Sequence, residues 1–364
     1  MFKALLELIF PSLKNETNPN FFAFEDGRNK KTEAKEARPT TVPSNQAAPL
    51  LTAMEKQQKG FYDYLFGENP ATREHDELSK HIEAKILHLF KQPDKLTSSL
   101  PVLPSSLAKV IETINDDDFD TQELVSLIRN EPVIAAKVIE LANSTYYRRG
   151  EKEVTDLKSA FMNLGSQGLV EGVINGFVSK FTPQSNVYFR QFGHNIWGHS
   201  LATGVIARSI AEETGNSQLK AEAYLVGLIC NLGDMIIFHL LIESFAHVHP
   251  DAQPNSFAFK SVMMKYSKKL TVHIAKHWKL PRRIIEALVV QYKTDNISIL
   301  RNQYKVRPVA ALVFEANVLS ELELQCGDDP LQKEHWRVTA KSWLASDAAM
   351  FHLQTALDSA MAEA

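Results

Sequence analysis

Cysteine is scarce in this sequence, which contains only two in 364 residues, at positions 230 and 326. Two cysteines so far apart form no disulfide framework, and their scarcity favours a reducing compartment, so we expect a cytoplasmic protein. The net charge of −3 gives no strong field of either sign, and no segment carries a dense Lys/Arg face. Nucleic acid is therefore not an expected partner. Apolar residues at 44% and charged residues at 23% are typical of a globular chain.

Strand patterns are also missing. Runs in which apolar and polar residues alternate between turn residues are almost absent, and only 15 glycines occur. Apolar residues recur instead at helical spacing, which predicts an all-α, multi-helix bundle. The main helical segments of this prediction are Leu157–Leu164, Leu169–Phe181, Phe189–Glu213, Leu219–Phe245, Phe257–Trp278, Pro281–Tyr292 and Val309–Leu322.

The two ends of the chain differ in composition from its centre. The apolar run Ala4–Phe10 is too short to span a bilayer and is interrupted by Glu7, so we expect no transmembrane anchor and no secretion signal. The remainder of residues 1–50 is polar, which predicts a flexible segment. Residues 51–96 are predicted to form a helical preface with an aromatic-rich patch. Residues 293–364 are predicted to form a C-terminal helical extension that docks on the main domain.

Three polar residues interrupt a long apolar run. The run begins at Tyr224, continues to Ile229, and resumes at Met235 after Cys230, Asn231 and Asp234. Polar atoms inside a buried helix are costly unless they are paired or belong to a site. Residues 230–234 are therefore a candidate functional site.

Several short motifs occur in an order that resembles the HDOD family, the HD-related output domain of bacterial signalling proteins. The resemblance covers about residues 97–292 and implies an HD-type helical bundle, here with extra N- and C-terminal helices. The motifs that carry it are Leu103-Pro104, the run Asn130–Ser144 that ends in Leu-Ala-Asn-Ser, Ser159–Gly165, Trp197–Ser200, Gly227–Asp234 and Trp278–Pro281.

Catalytic relatives in the wider HD superfamily are phosphohydrolases that hold divalent metal with histidines and aspartates from several helices. His199 matches the first ligand position of that pattern, whereas Cys230 and Asn231 stand where the His-Asp pair is expected. Departures from the pattern also occur further along the chain, at Ser267, Gln291 and Tyr292. One neutral imidazole does not hold such a metal, so we expect neither a bound metal nor any other cofactor. His199 is then interpreted as a hydrogen-bonded core histidine.

These observations predict a non-catalytic HDOD signalling or scaffold protein that binds a protein partner in a bacterial regulatory pathway. A pocket formed by His199, Asn231 and Asp234 is the candidate site for a ligand or partner. Residual phosphohydrolase activity stays open, as does an unorthodox metal site built from His199, Asp234 and His239. A third alternative is a nucleotide or anion sensor that uses the vacated pocket. The oligomeric state is not predicted.

Overall fold

The computed structural model describes residues 53–67, 103–112, 131–144, 152–181, 187–245, 257–294, 297–326, 330–340 and 342–362, together with isolated positions between 83 and 148. Within these residues the regular structure is helical and no strand occurs, which confirms the all-α prediction. The predicted flexible segment, residues 1–50, lies outside the described residues. The helices are α1 (Ala53–Phe66), α2 (Ser105–Glu112), α3 (Pro132–Ala142), α4 (Leu157–Val178), α5 (Val187–Glu213), α6 (Lys220–Ile229), α7 (Leu232–Phe245), α8 (Phe257–His277), α9 (Arg282–Lys293), α10 (Ile297–Val306), α11 (Pro308–Cys326), α12 (Pro330–Ala340) and α13 (Asp347–Ala362).

Three helices, α5, α6 and α11, form the centre of the bundle. Every residue of α6 from Ala221 to Ile229 is buried, and α11 is buried from Val309 to Leu322. Helices α5 and α6 cross at two glycines, where a Cβ on Gly227 would lie 2.8 Å from the Cα of Gly204. Real Cβ atoms do not approach backbone so closely, so the crossing requires glycine at this position.

The apolar segment Leu219–Phe245, predicted as a single helical stretch, is broken in the structure at Cys230–Asn231, so that α6 and α7 meet at a corner. The corner lies tightly against α8: a Cβ on Gly233 would lie 1.8 Å from the carbonyl oxygen of Ser267. The Gly233 amide donates to the Thr271 hydroxyl at 2.9 Å. The break therefore fixes the polar residues of the corner against α8.

One helical stretch, Ser217–Leu240, is long and apolar enough to cross a membrane when judged by length and composition alone. The most apolar 18-residue window of this stretch has a mean hydropathy of 1.6, but 89% of the window is buried inside the protein. It includes α6, which lies at the centre of the bundle. The core helices of soluble proteins have the same character.

The last two helices of the C-terminal extension, α12 and α13, both pack against α11. Trp343, Leu344 and Leu353 from this region are buried in the common core. A fully buried carboxylate, Glu315 of α11, accepts hydrogen bonds from the backbone amides of Ala345 and Ser346 immediately before α13. The start of α13 is thus fixed to the central helix.

Candidate functional site

The three residues predicted to form a pocket, His199, Asn231 and Asp234, converge in the fold and are joined there by Ser267, one of the departures from the ligand pattern. His199 lies on α5, Asn231 at the corner between α6 and α7, Asp234 in the first turn of α7, and Ser267 in the middle of α8. All four line the same small cavity, although they are far apart in the sequence. The cavity is completed by residues of α1, α8 and α11, namely Gln58, Phe61, Tyr62, Met264, Lys268 and Glu321.

His199 is held as a neutral, buried imidazole. Its Nδ1 lies 2.9 Å from the hydroxyl of Ser320, and the Ser320 hydroxyl lies 3.2 Å from the His199 carbonyl oxygen. Burial, reinforced by the positive charge of Lys268, lowers the pKa of His199 to about 3, although a hydrogen bond with Asn317 opposes this shift. The ring therefore carries no charge near neutral pH, and one of its nitrogens is already engaged within the protein.

The two residues that replace the expected His-Asp pair are tied to α11. The Cys230 thiol donates to the Gly227 carbonyl at 3.1 Å, and burial raises its pKa to about 12. The Asn231 side-chain amide donates to Oδ1 of Asn317 at 2.8 Å, and Nδ2 of Asn317 donates in turn to the Glu321 carboxyl at 2.7 Å. Burial keeps Cys230 protonated, and the hydrogen bond to Asn317 satisfies the Asn231 amide, so neither residue presents a free anionic ligand.

Asp234 and Glu321 are the two buried carboxyls of the cavity. Burial raises the pKa of Asp234 to about 6 and that of Glu321 to about 7. The Tyr62 hydroxyl donates to Asp234, and Lys268 lowers the pKa of both groups by its charge. The desolvation of two carboxyls close together exceeds these favourable contacts, so both stay protonated at higher pH than a carboxyl in water.

Helix α1 fills most of the space between these groups. The Phe61 ring packs on the His199 ring with centroids 4.6 Å apart, and Tyr62 reaches Asp234. The cavity that remains has a volume of about 10 Å³, which is at the lower limit for a single water molecule. A substrate the size of a phosphoester does not fit while α1 stays in this position.

These side chains do not fit a divalent cation. Within the described part of the chain, no group of three or more His, Cys, Asp or Glu side chains is arranged to hold a metal ion. His199 uses Nδ1 within the protein, Cys230 keeps its proton, and Asn231 is bonded to another amide. Divalent metals in HD-type sites need several deprotonated nitrogen or oxygen ligands, and this donor set does not supply them.

The remaining predicted positions lie outside the cavity. Gln291 is buried and donates to the Ala310 carbonyl at 2.8 Å, which ties α9 to α11. Tyr292 is 44% exposed, with the ammonium group of Lys269 lying 5.3 Å from the centre of its ring. His239 is buried further along α7 and is not among the residues that line the cavity. His199, Asp234 and His239 all lie in the described part of the chain, where no three such side chains are arranged to hold a metal ion.

Sequence reasoning missed the residues that complete the cavity from α1 and α11. From α11, Glu321 lines the cavity, while Ser320 and Asn317 contact the lining residues His199 and Asn231. All three are polar residues in the buried part of α11, and that is the signal that could have identified them. Tyr62 belongs to an aromatic patch whose helical spacing was recognised, but no local pattern indicates which face of the bundle such a patch covers.

The family model of the HDOD domain matches residues 100–294, which is a little over half of the chain. An uncharacterized protein of Treponema pallidum (strain Nichols) is 21% identical over 252 residues, which cover 66% of this chain and 47% of that protein. The chain thus spans about half the length of this curated relative.

Two solved structures resemble the fold. An HDOD domain protein with unknown function from Geobacter sulfurreducens has a TM-score of 0.52 at 22% identity and covers 76% of this chain and 96% of that chain. A candidate phosphohydrolase from Shewanella amazonensis SB2B has a TM-score of 0.48 at 18% identity and covers 76% of this chain and 97% of that chain. The first of these similarities supports the all-α fold.

Proposed function

The chain belongs to the HDOD domain family, and from this membership we propose that it is a non-catalytic signalling protein that acts by binding a protein partner. One observation carries the proposal: the cavity at the family's metal-ligand positions is filled by the protein's own side chains. Phe61 lies against His199, and Tyr62 bonds to Asp234. A protein that keeps the HD-type helices without the metal-binding side chains retains surfaces that can bind a partner, but it lacks the groups needed for phosphoester hydrolysis.

The two alternatives find less support. Metal-dependent phosphoester hydrolysis needs several free donors, and those at the family's ligand positions are engaged or protonated: His199 Nδ1 contacts Ser320, the Cys230 thiol keeps its proton and the Asn231 amide is bonded to Asn317. The Asp234 carboxyl already accepts a hydrogen bond from Tyr62. An anion sensor needs a cavity with room and net positive character. The present cavity measures about 10 Å³ and contains the carboxyls of Asp234 and Glu321 beside the single cation Lys268.

The test is elemental analysis of the full chain, purified without chelator and without a metal-affinity tag, combined with a phosphodiester hydrolysis assay in added Mg²⁺, Mn²⁺ or Zn²⁺. We expect far less than one transition-metal ion per chain and no turnover above the rate without protein. His199→Ala, at the cavity, is compared with His273→Ala, a half-buried histidine of α8 that does not line the cavity. A stoichiometric metal that is lost in His199→Ala and kept in His273→Ala would overturn the proposal.

A further inference from the structure

Helix α1 precedes the segment that matches the HDOD family and lies in a groove formed by that segment and α11. Its aromatic face, Phe61, Tyr62, Leu65 and Phe66, is buried, whereas Tyr64 on the same helix is 46% exposed. The spacing of the buried residues is that of an amphipathic helix laid into a groove, a recurring mode of peptide recognition.

The aromatic contacts of α1 are concentrated at its C-terminal end. The Phe66 ring meets Phe259 of α8 edge to face at a centroid distance of 4.9 Å. It also lies 5.5 Å from Phe238 of α7 and 5.6 Å from Phe192 of α5. Phe66 is therefore the anchor that joins α1 to three helices of the groove.

Charge complementarity accompanies these apolar contacts. Lys260 of α8 is buried and binds Asp63 at 2.7 Å, and it also donates to the Gly67 carbonyl at the end of α1. On the other side of the helix, the Tyr62 hydroxyl donates to Asp234. The groove thus recognises a helix that carries a carboxylate between aromatic residues.

The floor beneath α1 differs from the rest of the core. It contains buried polar and charged side chains, Asp234, Glu321, His199, Asn231, Ser267 and Lys260. Water solvates such groups well, so exposing them costs less than exposing the apolar surroundings of α6. Contacts with this mixture of aromatic anchors and polar groups resemble exchangeable interfaces more than a permanent core.

We propose that α1 is the resident, displaceable occupant of a helix-binding groove, and that a partner binds by inserting an amphipathic helix of the same chemistry in its place. That partner helix carries an aromatic pair facing the His199–Asp234 cavity, a carboxylate for Lys260 and a terminal aromatic anchor for the three phenylalanines. The inference rests on the proposed function only in assuming a protein partner. In the resting protein α1 is then an intramolecular competitor, which keeps the groove closed.

The first test uses the unmodified full chain and amide hydrogen exchange. We expect the amides of residues 61–66 to exchange through a local opening, faster than those of α6, which exchange only on global unfolding. Exchange of both helices in one step, with the same dependence on denaturant, would overturn the inference, because α1 would then be inseparable from the core.

The second test measures the fluorescence anisotropy of a labelled peptide of residues 53–67 with three full-length proteins. Phe66→Ala weakens the resident helix and leaves the groove intact, and Tyr64→Ala changes an exposed position of the same helix. We expect Phe66→Ala to bind the peptide at least about tenfold more tightly than the unmodified chain, because apparent affinity scales with the fraction of molecules whose groove is open. Tyr64→Ala is expected to match the unmodified chain.

A peptide carrying Asp63→Lys is expected to lose binding, because it brings a second cation to Lys260. Equal binding of the unmodified peptide by all three proteins, or of both peptides by Phe66→Ala, would contradict the inference. If Phe66→Ala does not fold, the hydrogen-exchange experiment on the unmodified chain decides whether α1 opens independently of the core. Neither experiment depends on metal content or turnover, so a failure here and a failure of the proposed function are told apart.

Discussion

At the scale of single residues, a buried carboxyl of the His199 cavity makes the stability of the protein fall as the pH rises. Burial raises the pKa of Glu321 to about 7, whereas an unfolded glutamate titrates near 4.3. Between these values the folded state binds a proton that the unfolded state has lost. The contribution of Glu321 to stability is therefore present in full at low pH and is lost as the pH rises through about 7.

Glu321→Gln isolates this contribution, because the amide oxygen of glutamine still accepts the Asn317 hydrogen bond but does not titrate. We expect the variant to gain stability relative to the unmodified chain between pH 5 and pH 8, on the order of 2 kcal/mol in the free energy of unfolding. Chemical unfolding of both proteins at several pH values across this window measures the difference. His199 and Asp234 titrate in both proteins, so their contributions largely cancel. Stability curves that stay parallel from pH 5 to pH 8 would contradict the assignment.

At the scale of elements, the position of each helix depends on a few polar attachments as well as on apolar packing. Glu315 of α11 shows this most clearly, since it is fully buried and accepts from the backbone amides of Ala345 and Ser346 and from the Tyr304 hydroxyl. Removing such an acceptor leaves several buried donors unpaired. One carboxylate therefore ties both α10 and the start of α13 to the central helix.

We expect Glu315→Ala to lower the free energy of unfolding by about 2–4 kcal/mol and to increase amide exchange in residues 348–353. The matched control is Glu323→Ala on the same helix, whose carboxylate pairs with His352 at 3.0 Å near the surface. Its loss is expected to cost less than about 1 kcal/mol, because solvent screens such pairs. Urea unfolding and hydrogen exchange of the two variants make the comparison. Equal costs for the two substitutions would show that Glu315 does not anchor α13.

At the scale of the whole molecule, the structural unit is larger than the segment that the family model matches. That segment ends at residue 294, yet α11 follows it and is buried from Val309 to Leu322 between α5, α6 and α9. α11 also supplies Ser320 to His199 and Asn317 to Asn231. The bundle is therefore completed by a helix that lies beyond the matched segment.

A fragment of residues 100–294 is expected to lack cooperative unfolding, because removal of α11 exposes the central apolar faces of α5 and α6 to water. Near-UV circular dichroism and urea unfolding of the fragment, compared with the full chain, measure this. A sharp transition with a native near-UV spectrum would show that residues 100–294 fold without α11.

Particular residues show how far the sequence alone reaches. Helical spacing of apolar residues specifies the all-α class, because each amphipathic helix must bury one face. The motif order Asn130–Ser144, Trp197–Ser200 and Gly227–Asp234 indicated the family, which the family model confirms. The sequence also places Cys230 and Asn231 where the resemblance implies a metal-binding His-Asp pair, and that prediction needs no structure because ligand chemistry depends on residue type.

Only the tertiary structure decided what lies against those positions. The break between α6 and α7 places Gly233 directly against Ser267 of α8, a contact between residues far apart in the sequence. The contacts of Phe61 with His199 and of Tyr62 with Asp234 join α1 to helices more than a hundred residues away. Local patterns determine which face of a helix is apolar, but they do not specify which helix packs against that face. The packing partner depends on the complementary shape and charge of residues that are distant in the sequence.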